Sequence, residues 1–251
     1  MSELVQLAAG NPHVFNGAPA PLAGPLIDTF GRTHTDLRVS VIDRCNIRCS
    51  YCMPETGATF LPQGSVLSFG EIIQVVKAGV KLGIEKVRVT GGEPLLRPRL
   101  ATFIEKLAVL PGLRDLALTT NGILLGSAAQ ELYEAGLRRL NIQLDTLDRE
   151  RFRQITRRDD LYRVLDGIDA ALRVGYHSIK INAVAIRGWT EADLVPLAHF
   201  GRDRNIEIRY IEFMPLDGQQ LWSKDRVFTA AEMITILSRE FGALLPVADA
   251  D

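Results

Sequence analysis

The sequence predicts an α/β fold of six strand-helix units, arranged either as an open six-unit barrel or as a doubly wound sheet. Two observations carry this. Short β-branched runs alternate with longer amphipathic segments from Leu37 onward, and Gly residues punctuate the ends of several of the longer segments. Strands alternating with helices imply parallel pairing through right-handed crossovers, and six units are too few for the usual eight-stranded closed barrel.

Residues 1–35 carry Gly10-Asn11-Pro12, Gly17-Ala18-Pro19 and Pro25 without helical or strand periodicity, which predicts an extended N-terminal arm followed by a barrel unit over 36–251. The strands are expected at Leu37–Ile42, Lys86–Thr90, Asp115–Thr119, Arg139–Leu144, Ser178–Ala185 and Ile206–Ile211. Helices are expected near 68–82, 98–109, 127–136, 161–174 and 190–204, with Gly83, Gly136 and Gly175 placed to end three of them. A last helix near 229–241 opens on Thr229 with Glu232 three residues later, the pattern of a capping box.

Composition narrows the function. The chain has 251 residues, 47% apolar, enough to bury one sizeable core. A net charge of −1 with scattered basic residues gives no reason to expect nucleic acid or an anionic membrane surface as partner, so a small-molecule substrate is expected. No basic start precedes an apolar core and no run approaches eighteen apolar residues, so a cytoplasmic location is expected. The three cysteines fall within eight positions, a ligand pattern rather than a disulfide framework.

Those cysteines form the run Cys45-Asn46-Ile47-Arg48-Cys49-Ser50-Tyr51-Cys52 directly after the first strand. C-x3-C-x2-C can place three thiolates round a [4Fe-4S] cubane and leave the fourth iron without a protein ligand, open to a small molecule. The alternative is a structural zinc site of three Cys and one His. His13, His34, His177 and His199 all lie far from the cysteine run and form no spaced pair, which weighs against zinc.

Further motifs end the next strands. Val89-Thr90-Gly91-Gly92-Glu93-Pro94 reads either as an ordinary Gly-rich turn or as a place where backbone approaches a ligand closely, and the cysteine loop at the preceding strand end favours the second. It is not a phosphate-binding P-loop, because no G-x4-G-K-[ST] occurs. The hydroxyls of Thr119-Thr120-Asn121-Gly122 are expected to cap the next helix, with ligand binding the alternative. In Asn141-Ile142-Gln143-Leu144-Asp145, Asp145 is expected as a helix cap rather than a catalytic acid. Lys180 and Asn182 share a strand face, Arg38 and Arg88 stand on two other strands, and three inward cations would make a pocket matched to a polyphosphate. Arg209 is a weaker candidate of the same kind, and Met214 reads as core filler.

The cysteine run resembles the signature of the radical S-adenosylmethionine (SAM) superfamily. The longer stretch from Leu37 to Pro54 resembles its GTP 3′,8-cyclase family, which acts in molybdenum cofactor biosynthesis, and the likeness runs from about Asp28 to about Pro215. The resemblance implies a partial (β/α)6 TIM-like barrel of the radical SAM type and a lyase converting GTP to (8S)-3′,8-cyclo-7,8-dihydroguanosine 5′-triphosphate. Its cofactors would be one [4Fe-4S] cluster on Cys45, Cys49 and Cys52, and SAM, with no side chain as the radical source. It implies SAM contacts at Tyr51, Gly92, Gln143 and Met214, where Gln143 replaces the Ser common in the family. It implies GTP contacts at Arg38, Arg88, Thr119 and Lys180, a homodimer, and a reductant protein as partner. The family also carries a C-terminal region with three further cysteines for a second cluster. No cysteine follows Cys52, so the expectation is a C-terminally shortened cyclase; a one-cluster enzyme with another substrate, or an inactive cluster- and SAM-binding module, are the alternatives.

Overall fold

A computed structural model describes residues 24–215 and 221–247; the first 23 residues of the expected arm lie outside them. A two-residue ladder of β1 (Leu26–Ile27) and β2 (Thr33–His34) precedes the barrel. Then come β3 (Asp36–Ser40), α1 (Phe69–Lys81), β4 (Lys86–Thr90), α2 (Leu100–Ala108), β5 (Asp115–Thr120), α3 (Leu125–Glu134) and β6 (Arg139–Gln143). The chain continues through α4 (Arg149–Thr156), α5 (Leu161–Val174), β7 (Ser178–Ala185), α6 (Leu194–Arg204), β8 (Glu207–Glu212) and α7 (Ala230–Phe241).

All six barrel strands are parallel and follow one another in the sheet in chain order, β3-β4-β5-β6-β7-β8. A doubly wound sheet would reverse its order partway, so the sequential order selects the barrel. Among the described residues β8 does not pair with β3, and the barrel stays open.

Alternation along each strand divides its faces. Val87 and Val89 of β4 are buried on the helix side with Leu118 of β5, Ile142 of β6, and Ile104, Leu107 and Ile168 of the surrounding helices. Arg38 and Ser40, or Arg88 and Thr90, occupy the opposite, inner face, since side chains two apart share a side. Stripping apolar area from water at roughly 25 cal/mol per Å2 makes this outer shell the main stabilising layer. It leaves the inner face free to be polar.

The expected capping box is present: Thr229 Oγ1 accepts from Glu232 N–H while the Glu232 carboxylate accepts from Thr229 N–H. A second one, Ser68 with Glu71, starts α1. Gly83, Gly136 and Gly175 follow their helices at φ +95°, +99° and +107°. Phe228 and Met233 seat α7 on Ala185 and Leu194.

Three expectations are corrected. Arg149–Thr156 is a helix that periodicity did not announce, because only Phe152 and Ile155 are large and apolar in Arg-Glu-Arg-Phe-Arg-Gln-Ile-Thr. Its cap is Asp148, whose Oδ1 accepts from Arg151 N–H at 2.7 Å, so Asp145 is not a helix cap. Nor do the Thr119 and Thr120 hydroxyls cap α3, whose N-terminus has no side-chain cap.

Candidate functional site

The C-terminal strand ends meet round a cavity of about 440 Å3. Cys45, Cys49 and Cys52 all line it, with Tyr51, Ser40, Thr90, Gly91, Gly92, Thr119, Asn121 and Gln143. Cys49 is buried, Cys45 half-buried and Cys52 exposed. Burial pushes all three thiols above their ordinary pKa, most strongly for Cys49, so a bound cation must offset that cost before they serve as thiolates.

The loop that carries them is fixed by backbone contacts. Arg48 N–H and Ser50 N–H donate to the carbonyls of Thr156 and Ile155 at 3.0 and 2.9 Å, at the C-terminal end of α4. Arg157, held at φ +58° after that helix, donates to Arg48 O at 2.9 Å, and Arg158 Nε donates to Asn46 O at 3.1 Å. On the other side Gly92 N–H donates to Ile42 O at 2.6 Å and Glu93 N–H to Arg44 O at 2.8 Å.

That last approach requires glycine. A Cβ on Gly92 would lie 2.2 Å from Arg44 O, and one on Gly91 2.5 Å from Ile42 O. The two glycines therefore do a job that sequence reasoning did not foresee: they bring the β4 end against the backbone at the start of the cysteine loop. Gly92 lines the cavity, but its N–H is committed to Ile42.

Two buried carboxylates brace the rim. Glu93, fully buried, accepts from Thr120 Oγ1, Asn121 N–H and Leu95 N–H at 2.8, 2.7 and 3.0 Å, which ties the β4 end to the β5 end. Burial raises its pKa against the pull of those donors. Asp145 accepts from Tyr51 Oη at 2.6 Å, from Gln143 Nε2 at 2.7 Å and from Val184 N–H at 2.7 Å. Burial, the largest influence, lifts its pKa to about 6. Gln143 Nε2 also donates to Tyr51 Oη at 3.0 Å, so its amide is occupied by the loop tyrosine. The signal for this role was the pairing of a Tyr between the cysteines of the run with an Asp two residues beyond Gln143, which no spacing rule connects.

The metal readings separate here. Among the described residues no three of His, Cys, Asp and Glu are placed to hold one metal ion. A zinc site needs its ligands on a single centre, whereas a cubane takes one thiolate per iron and spreads them. Three separated thiols on one cavity wall, beside open space, fit the cluster with an open iron.

A second layer lies deeper. Ser40 and Thr90 line the cavity, and Arg38 and Arg88 stand two residues before them on the same face, about 6–7 Å down the barrel. Arg38 and Arg88 are register partners. Burial lowers the Arg88 pKa, with Arg38, Arg209 and Arg139 adding like-charge repulsion and Asp36 opposing it. Arg88 Nε is buried with no hydrogen-bond partner among the described residues. Lys180 is register partner of Asn141, itself partner of Thr119, and pairs with Glu207 at 2.9 Å. Arg209 pairs with the same carboxylate at 2.6 Å. Arg139 is matched by Asp115. The structure thus groups Arg38, Arg88 and Arg209, keeps Lys180 beside them in an ion pair, and puts Thr119 in the upper layer. Met214 follows β8, is 51% exposed, and does not line the cavity. Among the described residues no helix is long and apolar enough to cross a membrane.

Comparison with known proteins agrees with this geometry. The family described as the Radical SAM superfamily matches residues 39–201. A GTP 3′,8-cyclase of Rhodopirellula baltica is 48% identical over 233 residues, covering 92% of this chain and 65% of the relative. A GTP 3′,8-cyclase 3 of Mycobacterium bovis is 46% identical, with 90% and 61% covered, and the GTP 3′,8-cyclase of Thermodesulfovibrio yellowstonii is 45% identical, with 88% and 68% covered. The chain therefore spans 61–68% of the length of these relatives. Solved structures of Streptococcus suis SuiB bound to precursor peptide SuiA and of methylornithine synthase share the fold at TM-scores of 0.60 and 0.58, at 16% and 15% identity. The first likeness covers 76% of this chain and 42% of SuiB, the second 82% and 62%.

Proposed function

We propose that this chain, which belongs to the radical SAM superfamily, is the barrel part of a GTP 3′,8-cyclase, with residues 36–251 as the barrel unit. The observation that carries the reading is vertical order inside one barrel: three thiols at the mouth, and below them a cationic layer with a buried Arg88 Nε that has no hydrogen-bond partner among the described residues. A nucleoside triphosphate reaching down the barrel would put its phosphates on the cations and its sugar toward the thiol end. The names of the relatives, three GTP 3′,8-cyclases at 45–48% identity, support the same substrate.

Cys45, Cys49 and Cys52 would hold the [4Fe-4S] cluster, and the cavity wall of Tyr51, Gly92 and Gln143 would receive SAM. The chemistry this pair supplies when bound is one-electron cleavage of a sulfonium C–S bond, which yields a carbon radical able to take hydrogen from the ribose C3′ of GTP. The chain's own contribution is placement. Arg38 and Arg88 offer charge-assisted hydrogen bonds to phosphate oxygens, fixing the depth of the nucleotide. Lys180 and Arg209 share Glu207, so each can turn to a phosphate while the other keeps the carboxylate paired. Thr119, one layer higher, faces the space between phosphate and thiol levels. Glu93 and Asp145 take no part in proton transfer in this reading; their lone pairs are spent on Thr120, Asn121, Leu95, Tyr51, Gln143 and Val184.

An external one-electron donor belongs to the reading, because SAM cleavage consumes an electron, and the family resemblance supports a homodimer. The test is 5′-deoxyadenosine released by the anaerobically reconstituted, dithionite-reduced chain with and without GTP. Release that rises with GTP and yields a product joined between C3′ and C8 is the expected result. Cleavage indifferent to GTP, together with GTP binding that Arg88→Gln leaves unchanged, would refute it.

A further inference from the structure

We propose that Asn121 is a positioning residue that sets the reduction potential of the cluster by donating an amide N–H to the Cys45 thiolate. The inference rests on the reading that Cys45, Cys49 and Cys52 hold a [4Fe-4S] cluster, and goes beyond it by naming a neutral donor outside the cysteine loop.

Asn121 is 7% exposed at the end of β5, 76 residues from Cys45. Its Nδ2 lies 3.7 Å from Cys45 Sγ and 2.7 Å from Asn46 Oδ1. A primary amide has two N–H groups, and these are two acceptors for them. The amide is oriented as well as placed. Its Oδ1 accepts from Ile123 N–H at 3.1 Å, and its own backbone N–H donates to the Glu93 carboxylate at 2.7 Å. Turning the amide over would set NH2 against the Ile123 N–H and oxygen against both sulfur and Asn46 Oδ1, losing three hydrogen bonds and creating three repulsions.

Ligation strengthens the arrangement. As a free thiol, Cys45 can donate to Asn46 Oδ1, 3.9 Å away. As an iron ligand it has no proton to give and only lone pairs to offer. Asn46 Oδ1 then keeps the Asn121 amide, and the second amide N–H faces a charged sulfur. Hydrogen bonds to cluster sulfurs are one of the levers that set potential, and groups beyond the first ligands tune the metal they surround. Reduction adds negative charge to the cluster and its thiolates, so a fixed donor favours the reduced form and raises the potential. The donor costs no mobile charge, and its position is set by Glu93 and Ile123 before any ligand arrives.

The experiment is a potentiometric titration of the reconstituted full chain followed by electron paramagnetic resonance, after iron has been counted in each sample. Asn121→Ala removes the donor; Asn121→Asp removes it but keeps an oxygen for Ile123 N–H; Asn46→Ala breaks the same Asn46–Asn121 bond and leaves the donor on sulfur. At the wild-type midpoint, both Asn121 variants are expected to hold about tenfold less reduced than oxidised cluster, a downward shift of about 59 mV for one electron. Asn46→Ala is expected to stay within about twofold of wild type. Equal shifts in all three variants, no shift in either Asn121 variant at full iron, or loss of iron from both Asn121 variants alone would each overturn the inference, the last making Asn121 a purely structural brace. A wild-type chain that takes up no four-iron cluster would instead overturn the cluster reading beneath it.

Discussion

Replacing Gly92 by Ala asks whether the cysteine loop is held by close backbone contact. The added Cβ would lie 2.2 Å from Arg44 O, 2.5 Å from Arg44 C and 2.7 Å from Asp43 O. Reaching an ordinary contact near 3.4 Å requires a displacement of about 1.2 Å, and the obstruction is backbone that no rotamer change can relieve. The displacement breaks the Gly92 N–H to Ile42 O and Glu93 N–H to Arg44 O bonds, each worth roughly 0.5–1.5 kcal/mol. Overpacking itself costs about 1–3 kcal/mol. Together these suggest about 4 kcal/mol, or roughly 8–16 °C in Tm for a chain of this size. Because Arg44 immediately precedes Cys45, the same movement passes to the first thiol of the run. Thermal unfolding of the apo chain and iron content after anaerobic reconstitution are the two measurements, with both expected to fall. A Gly92→Ala protein with wild-type Tm and four irons would show that the loop adapts freely, and the argument from contact would be wrong.

Cys49→Ser places a poorer iron ligand at the most buried of the three positions, and the reconstituted protein should lack the charge-transfer absorption of a four-iron cluster while keeping its circular dichroism. Arg88→Gln should weaken GTP binding by about 1.5–3 kcal/mol, roughly 10- to 150-fold in Kd by calorimetry, with SAM binding little changed. Lys180→Ala should cost GTP binding less than Arg88→Gln, because Lys180 already pairs with Glu207; a larger loss would reverse their assigned weights. Arg187 and then Thr229 hold the Glu232 carboxyl at about 2, against an ordinary 4.5. A lowered acid pKa stabilises the fold above pH 4.5 and loses that contribution as pH falls toward 2, so the Tm difference between wild type and Glu232→Gln should shrink over that interval; a constant difference would remove Glu232 from the linkage.

Much of the framework was legible because burial enforces period. Lys86–Thr90 and Ser178–Ala185 coincide with the expected strands, since alternating Val and Ile must face the helices whatever the inner face does. The cysteine run was legible for a different reason, its ligand spacing being local. What spacing could not show is how loops lean on one another. α4 escaped because a helix with two large apolar residues can be held by its cap and by the cysteine loop that it supports. Asp145 and Asn121 escaped because their partners, Tyr51 and Cys45, are 94 and 76 residues away. Two-residue alternation put Lys180 and Asn182 on one strand face, but only three-dimensional register distinguishes an Arg88 Nε with no partner among the described residues from a Lys180 already matched by Glu207.

The cysteine loop buries little apolar surface of its own beyond Ile47 and Cys49, so its shape is specified by polar contacts from several strand ends and one helix end. Gly92 and Glu93 hold its start, Asn121 touches Cys45 and Asn46, Asp145 with Gln143 grips Tyr51, and Ile155 to Arg158 carry Arg48, Ser50 and Asn46. A loop held this way cannot shift one thiol without straining bonds to distant parts of the chain, and each bond falls off steeply with misalignment. The three thiol positions are thus pre-organised by contacts from neighbouring strand ends and the end of α4 rather than by a bound ion.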